Sequence, residues 1–369
     1  MSTQWNAEKL RGIWKKMIQR PLVGLDIGVS GIKAVELTST SRGKRLVAYN
    51  RVPLPWGAIT TEGEVKERDA VLSALKELFA FKGFSTKHVA VASFGSSIIT
   101  KKIVIERMAP AELKEQLYWE AEQYIPFPVA EVNLDFAILD TQTENAEQME
   151  VLIVAAKKDF VQSLSGLLDE AGLKADVIDN PSFALGNAFE FNYSHSISGQ
   201  TGVPPLSVLL DFGAGATRVS IVEGDKTTFT RDLRQCGMAC TLMLSERLGL
   251  NLTDAEEAKL FDFEDEPVRM IIDEFNHALT DEVARTIDYV IGQNPERSVQ
   301  GIYYCGGGSR LSGLVEELEA KLSAPVSPLN PVQNLSGSGR KMNAQAIREL
   351  RYLGSTAVGL ALRASGDSE

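Results

Sequence analysis

Two short stretches half a chain length apart set the strongest constraint on this sequence. Leu25-Asp26-Ile27-Gly28 and Leu210-Asp211-Phe212-Gly213 match, and each Asp is followed seven positions later by a cation, Lys33 in the first copy and Arg218 in the second. An apolar run precedes and follows each copy, LVGLDIG and IKAVEL in one, SVLLDFG and RVSIVEG in the other. Each therefore reads as a β-hairpin with a small-residue tip. The first tip carries Val29, Ser30 and Gly31; the second carries Ala214, Gly215, Ala216 and Thr217. Two such hairpins in two similar halves predict a bilobed molecule with a cleft between facing turns.

The tips suit one kind of ligand. Glycine in a turn lets successive backbone N–H groups come close to an anion and form a concave nest. Ser30 adds a hydroxyl donor and Lys33 a compact positive charge, while Asp26 and Asp211 are placed to hold a magnesium ion, directly or through water. Opposed tips would grip the β- and γ-phosphates of a nucleotide from both sides. The plainer reading of Gly28 and Gly213 is that they only shape tight turns. A third element, Gly306-Gly307-Gly308-Ser309-Arg310, lies between the apolar run GIYYC and the helical stretch LSGLVEELEAKL. Glycines at a strand-to-helix junction predict an open helix N-terminus, suited to an α-phosphate and ribose, with Arg310 flat on a purine.

Between these markers strand-like runs alternate with helical stretches, which predicts an α/β fold with mixed sheets. In residues 1–20, Trp5, Leu10, Ile13, Trp14, Met17 and Ile18 recur at helical spacing among Lys9, Arg11, Lys15, Lys16 and Arg20, and Pro21 ends the segment. Such a basic amphipathic helix suits an anionic membrane surface or a partner; it equally suits packing on its own domain, or a frayed terminus. The stretch 199–205 (GQTGVPP) reads as a linker and Ser327 to Arg340 as a loop, followed by one small-residue helix from Asn343 to Arg363. Composition narrows the partners. With 38 basic against 49 acidic side chains the net charge is −11, which argues against nucleic acid as the main partner. No apolar run approaches the roughly 20 residues of a membrane span. Cys236, Cys240 and Cys305 point to a reducing compartment, the first two as packed or redox-active thiols, and His88, His195 and His277 show no zinc-ligand spacing.

The three elements in this order resemble the actin, heat-shock-chaperone and sugar-kinase superfamily of nucleotide-binding proteins. The resemblance runs from Pro21 to Arg363, with LDIGVSGIK and LDFGAGATR as the phosphate hairpins and YYCGGGSR as the adenosine loop. It implies an actin-like (ribonuclease H-like) bilobed α/β fold of two duplicated mixed-sheet domains, binding ATP or ADP with Mg2+. Glu256 and Lys259, in AEEAK, resemble a stretch whose Glu and Lys contact ribose and adenine in relatives; a surface ion pair explains one helical turn equally well. Gly237 matches a glycine that approaches the nucleotide. The segment from Ser96 to Leu173 is similar to the alternative inserted subdomain of the FtsA and PilM families. GLDIGVSGIKAVEL and EAEQYIPFP followed by DFAIL resemble the type IV pilus assembly family PilM most.

That resemblance implies a first lobe from 21–95, 174–198 and 344–363, an insertion at 96–173, a second lobe from 206–250 and 300–343, and a helical insertion at 251–299. It implies an ATP-binding scaffold in the cytoplasm, peripheral at the inner membrane. Its partners would be the cytoplasmic N-terminal peptide of PilN and other pilus assembly proteins, with a homo-oligomer open. An FtsA-like polymerising tether is the second reading, disfavoured by the polar ending Ala364-Ser365-Gly366-Asp367-Ser368-Glu369; a small-molecule kinase is the third. Phosphoryl transfer needs a group that orients the nucleophile. Asn180 stands where chaperone relatives carry a catalytic Glu, Arg218 where actin has a His and FtsA an Asp, and Cys236 replaces a usual glycine. Asp179 is the one remaining candidate base, so the expectation is at most a weak ATPase.

Overall fold

The computed structural model describes residues 20–92, 95, 97–139, 147–193, 205–261, 264–292, 297–339 and 342–365. Residues 1–19 of the basic segment, 199–204 of the expected linker and 366–369 lie outside the described residues. Among those described, no helix is long and apolar enough to cross a membrane.

The first half runs β1 (Val23–Gly28), β2 (Gly31–Thr40), β3 (Gly43–Pro53), α1 (Arg68–Ala80), β4 (His88–Ala92), β5 (Ile98–Glu106), α2 (Pro110–Ala121), β6 (Val132–Leu139), β7 (Gln148–Lys157), α3 (Lys158–Glu170), β8 (Lys174–Asp179) and α4 (Pro181–Tyr193). The second half runs β9 (Leu206–Phe212), β10 (Thr217–Glu223), β11 (Lys226–Leu233), α5 (Gly237–Leu248), α6 (Leu252–Phe261), α7 (Glu266–Gly292), β12 (Val299–Cys305), α8 (Leu314–Lys321), β13 (Val326–Pro328), α9 (Ala344–Leu353) and α10 (Ser355–Ala361). Two five-stranded sheets result, ordered β3-β2-β1-β4-β8 and β11-β10-β9-β12-β13. In both, three antiparallel strands are followed by two parallel neighbours. The duplication seen in eight residues thus extends through two whole sheets. Strand β9 is buried at every position, as a central strand covered on both faces must be.

A third sheet, β5-β7-β6, is antiparallel and has its own core: Ile103, Leu113, Leu117, Val132, Val151 and Ile153 bring α2 onto one face. Within the span 96–173, however, α3 places Leu164, Leu167 and Leu168 in the core of the first sheet. Likewise α6 and α7, within 251–299, add Ala255, Ile272, Phe275 and Leu279 to the core of the second sheet.

Two helices exchange sides. Leu185 and Phe189 of α4, which follows the first sheet, are buried with Leu209, Val222 and Cys305 of the second. Ala357, Val358 and Ala361 of α10, which follows the second sheet, are buried with Val35, Leu37 and Tyr49 of the first. The two helices meet at Gly359, where an added Cβ would lie 1.7 Å from the Ala184 carbonyl oxygen. The single helix expected from Asn343 to Arg363 is broken: α9 ends at Leu353, Gly354 turns the chain, and α10 starts afresh at Ser355.

Candidate nucleotide cleft

The strand register carries the repeat into geometry. Asp26 stands opposite Lys33 across β1 and β2, and Asp211 opposite Arg218 across β9 and β10. In each hairpin the cation reaches its own carboxylate: Lys33 Nζ donates to Asp26 at 2.7 Å and Arg218 Nη1 to Asp211 at 3.0 Å. All four side chains are mostly buried, at 10–17% exposure. Arg218 is held above its ordinary pKa: burial alone would lower it, and Asp211, Asp232 and Asp26 together outweigh that. The cations lie directly beneath the glycine tips. A Cβ built on Gly28 would come within 3.8 Å of Lys33 Nζ, and one on Gly213 within 3.8 Å of Arg218 Nη1.

These tips line a cavity of about 320 Å³ between the two sheets. The structure brings Asp26, Gly28, Ser30, Lys33, Asp211, Gly213, Gly215, Gly237, Glu256, Lys259, Gly306, Gly307, Gly308 and Arg310 to its wall. Gly31 and Thr217 are not on the lining. Gly31 sits behind the tip, its α-carbon turned to the Val52 carbonyl, and Thr217 is buried at the start of β10. Five cationic side chains and three carboxylates form the described lining, a cationic surface in an acidic chain. Asp26, Asp211 and Glu256 each hold their own cation, and no carboxylate of that lining answers Arg51 or Arg310.

Lys259 is spent inside the protein. Its ammonium donates to the Gly237 carbonyl at 3.1 Å, Thr241 Oγ1 at 2.7 Å and Glu256 at 2.5 Å, which uses all three of its N–H directions. This clasp ties the start of α5 to α6. The glycine run also differs from expectation. Gly307–Arg310 forms a 3-10 turn, Ser309 Oγ donates back to the Gly306 carbonyl, and α8 begins only at Leu314. The tightness is set at Gly306, whose φ of 90° and missing Cβ keep it clear of the Phe212 carbonyl (2.5 Å) and Asp211 Oδ1 (2.6 Å).

Asp179 is outside the lining. It pairs with Arg363 at 2.9 Å and accepts the Asn180 N–H, and burial pushes its carboxyl up against the pull of that arginine. Asn180 caps α4, its Oδ1 accepting the Ser182 N–H at 2.8 Å. The kinase reading thereby loses the one base the sequence offered it. The sequence reasoning missed Arg51, Tyr352, Ser355 and Thr356 on the wall. Ser355 Oγ is buried beside the Cys305 thiol, with no nitrogen or oxygen partner among the described residues. Among the described residues no cluster of three or more His, Cys, Asp or Glu side chains is arranged to hold a metal.

The three cysteines are free and buried. Burial pushes the Cys240 thiol up to about 12 and raises Cys236 and Cys305 as well. Alkylation of the native protein by iodoacetamide should stay slow from pH ~7 to ~9 and become fast in denaturant, because the thiolate is the reactive form. Rapid labelling of a single native cysteine would contradict the packed arrangement.

A family model for the type IV pilus assembly protein PilM matches residues 24–365. A chain of a solved PilM–PilN type IV pilus biogenesis complex is 30% identical, over 94% of this chain and 98% of that one, with a TM-score of 0.82. Ethanolamine utilization protein EutJ from Carboxydothermus hydrogenoformans is 18% identical over 97% of this chain and 99% of its own, with a TM-score of 0.50. MreB 5 of Spiroplasma citri, solved bound to AMPPNP, is 12% identical over 85% of this chain and 93% of that one, with a TM-score of 0.49. The duplicated sheets, the paired hairpins and a family match spanning nearly every described residue lead to one assignment: the chain belongs to the PilM family of type IV pilus assembly proteins and has the actin-like fold.

Proposed function

We propose that this protein is an ATP-binding scaffold of the type IV pilus machine, acting in the cytoplasm at the inner membrane on the N-terminal cytoplasmic peptide of a PilN-type partner. The observation that carries the nucleotide half is the cleft itself, where two glycine tips from separate lobes, each with a cation beneath it, face one cationic cavity. The residues fit the ligand. Gly213 and Gly306 let the backbone of the wall close up on the Ala216 and Phe212 carbonyls, where a Cβ would clash, and the Ser355 hydroxyl, which meets no nitrogen or oxygen of the described residues, supplies a further polar group at the wall. ADP or ATP would lie with its phosphates between the tips and its adenosine toward Gly237, Glu256 and the Gly306–Arg310 turn. Asp26 and Asp211 are the carboxylates an accompanying Mg2+ would meet, and that ion would offset phosphate charge. Because all three lining carboxylates are ion-paired, the described wall offers no unengaged base to activate water. The protein therefore holds ATP and turns it over slowly.

The partner half rests on the family and on the inserted layer. Helix α2 exposes Tyr118 and Trp119 to solvent, the latter at 76%, an aromatic surface of the kind a peptide covers. Phosphates that touch both lobes favour the closed cleft, and closure changes partner affinity only through the difference between open and closed forms. The test is calorimetry with Mg-ATP on the wild type and Gly306→Val, followed by titration of a PilN-type peptide with and without Mg-ATP. We expect nucleotide binding in the wild type, its loss in Gly306→Val, and a peptide affinity that depends on nucleotide. Wild-type protein that ignores Mg-ATP would overturn the nucleotide reading, and equal peptide affinities would overturn the coupling.

A further inference from the structure

We propose that the groove between the inserted sheet and the second lobe receives the acidic corner at the start of α7 from a second copy of this chain, so that copies join head to tail. The groove, of about 520 Å³, is walled by β5 and β7 on one side and by β10, β11 and the end of α7 on the other. In an acidic chain this wall is basic. Lys101, Lys102, Arg231 and Arg297 line it against two carboxylates, Glu150 and Glu223. Both carboxylates are taken: Glu150 holds Lys102 at 2.8 Å, and Glu223 holds Arg297. Among the described residues the exposed Lys101 has no ion pair, and Arg231 has only a long contact of 3.8 Å to Glu282, which is not part of the wall. Beside these cations Tyr289 is exposed, its ring centre 6.4 Å from that of Phe229. The groove therefore suits a segment that is acidic and carries an exposed apolar side chain.

The chain itself carries such a segment. At the corner between α6 and α7, Glu264, Asp265 and Glu266 are exposed, and no cation pairs with them among the described residues. Phe261, 73% exposed, shares the wall of a surface hollow with Glu264 and Asp265, and the exposed Met270 stands one turn beyond Glu266. The helix dipole accounts for carboxylates at the start of α7. It gives no reason for a phenylalanine and a methionine left in water beside them. Corner and groove lie at opposite ends of the same helix. From Glu266 to Tyr289 that helix rises about 35 Å, so the corner cannot enter the groove of its own copy. A contact between two different surfaces of identical copies propagates, closing into a ring or running on as a filament.

The test is sedimentation velocity of the full chain over a concentration series, with two charge reversals made separately. One is Lys101→Glu with Arg231→Glu in the groove; the other is Glu264→Lys with Asp265→Lys at the corner. We expect the wild type to gain mass with concentration. Each double variant should associate at least about 100-fold more weakly, the scale of like charges brought face to face. Mixed one to one, the two variants should recover assembly, because each then offers the other an opposite charge at both surfaces. All four positions are exposed, so the fold should hold, and circular dichroism checks it. A wild type that stays monomeric throughout the micromolar range overturns the proposal. So does a folded double variant that assembles like the wild type, or a mixture no heavier than its two parts.

Discussion

Gly359→Ala is expected to cost about 3 kcal/mol of unfolding free energy, the upper part of the range for overpacking a closed interior. The reason is backbone meeting backbone. The new methyl would lie 1.7 Å from the Ala184 carbonyl oxygen and 2.5 Å from its carbon. The same helix is pinned from its other side, because Gly24 of β1 approaches the Ala357 carbonyl oxygen and the Ala361 nitrogen so closely that its own Cβ would sit at 2.1 and 2.4 Å. Neither neighbour is a flexible side-chain tip that can rotate away, so α10 must move as a body. Urea unfolding with an unchanged slope reads the loss directly. A change below about 0.5 kcal/mol would mean that α4 and α10 slide freely past each other. Nucleotide affinity should fall too, since α10 begins with Ser355 at the cleft wall.

Lys259→Met is the second large effect, on the order of 3 kcal/mol, because it breaks one side of a mostly buried ion pair. The methionine would fill the same space but leave Glu256, Thr241 Oγ1 and the Gly237 carbonyl without the ammonium that joins them. Glu256→Gln should cost less. Glu256 is 30% exposed against 8% for Lys259, and the amide still accepts from Lys259 and Thr241. Denaturant midpoints for the two variants check the order; a larger loss for Glu256→Gln would show that the clasp is not centred on the lysine. Because the clasp sets where Gly237 lies, Lys259→Met should also disturb the adenosine side of the cleft.

The repeat made half of this protein legible. A matching Asp, a glycine two positions later and a cation at the seventh are enough to predict two hairpins and their facing tips, while the register that sets Asp26 opposite Lys33 and Asp211 opposite Arg218 appears only in the strands. The sequence could not say that Lys33 and Arg218 rest on their own carboxylates, since the same residues at the same spacing serve a bound phosphate equally well. Nor could it place Lys259, whose partners on Gly237 and Thr241 are 22 and 18 positions away. Asp179 misled because burial and pairing depend on Arg363, at the far end of the chain. Ser355 and Thr356 carried no local mark, as nothing near them says that this turn meets the cleft. The break at Gly354 was marked only by that glycine followed by Ser355 and Thr356, a stop signal outweighed by the apolar run that continues beyond it. The exchange of α4 and α10 was invisible for a related reason. Apolar, small-residue helices fit either sheet, and only long-range packing chooses between them.

That exchange orders events during synthesis. Every strand of the second sheet lies between Leu206 and Pro328, so that unit can collapse as soon as it has emerged. The first sheet is made earlier, yet the cover over Val35, Leu37 and Tyr49, begun by Ala188 of α4, is completed only when Leu350 of α9 and Ala357, Val358 and Ala361 of α10 arrive much later in the sequence. Contacts that distant in sequence form late. The part translated first is therefore finished last, and a nascent chain halted before α9 would leave much of an apolar sheet face open to whatever chaperone or neighbour reaches it first.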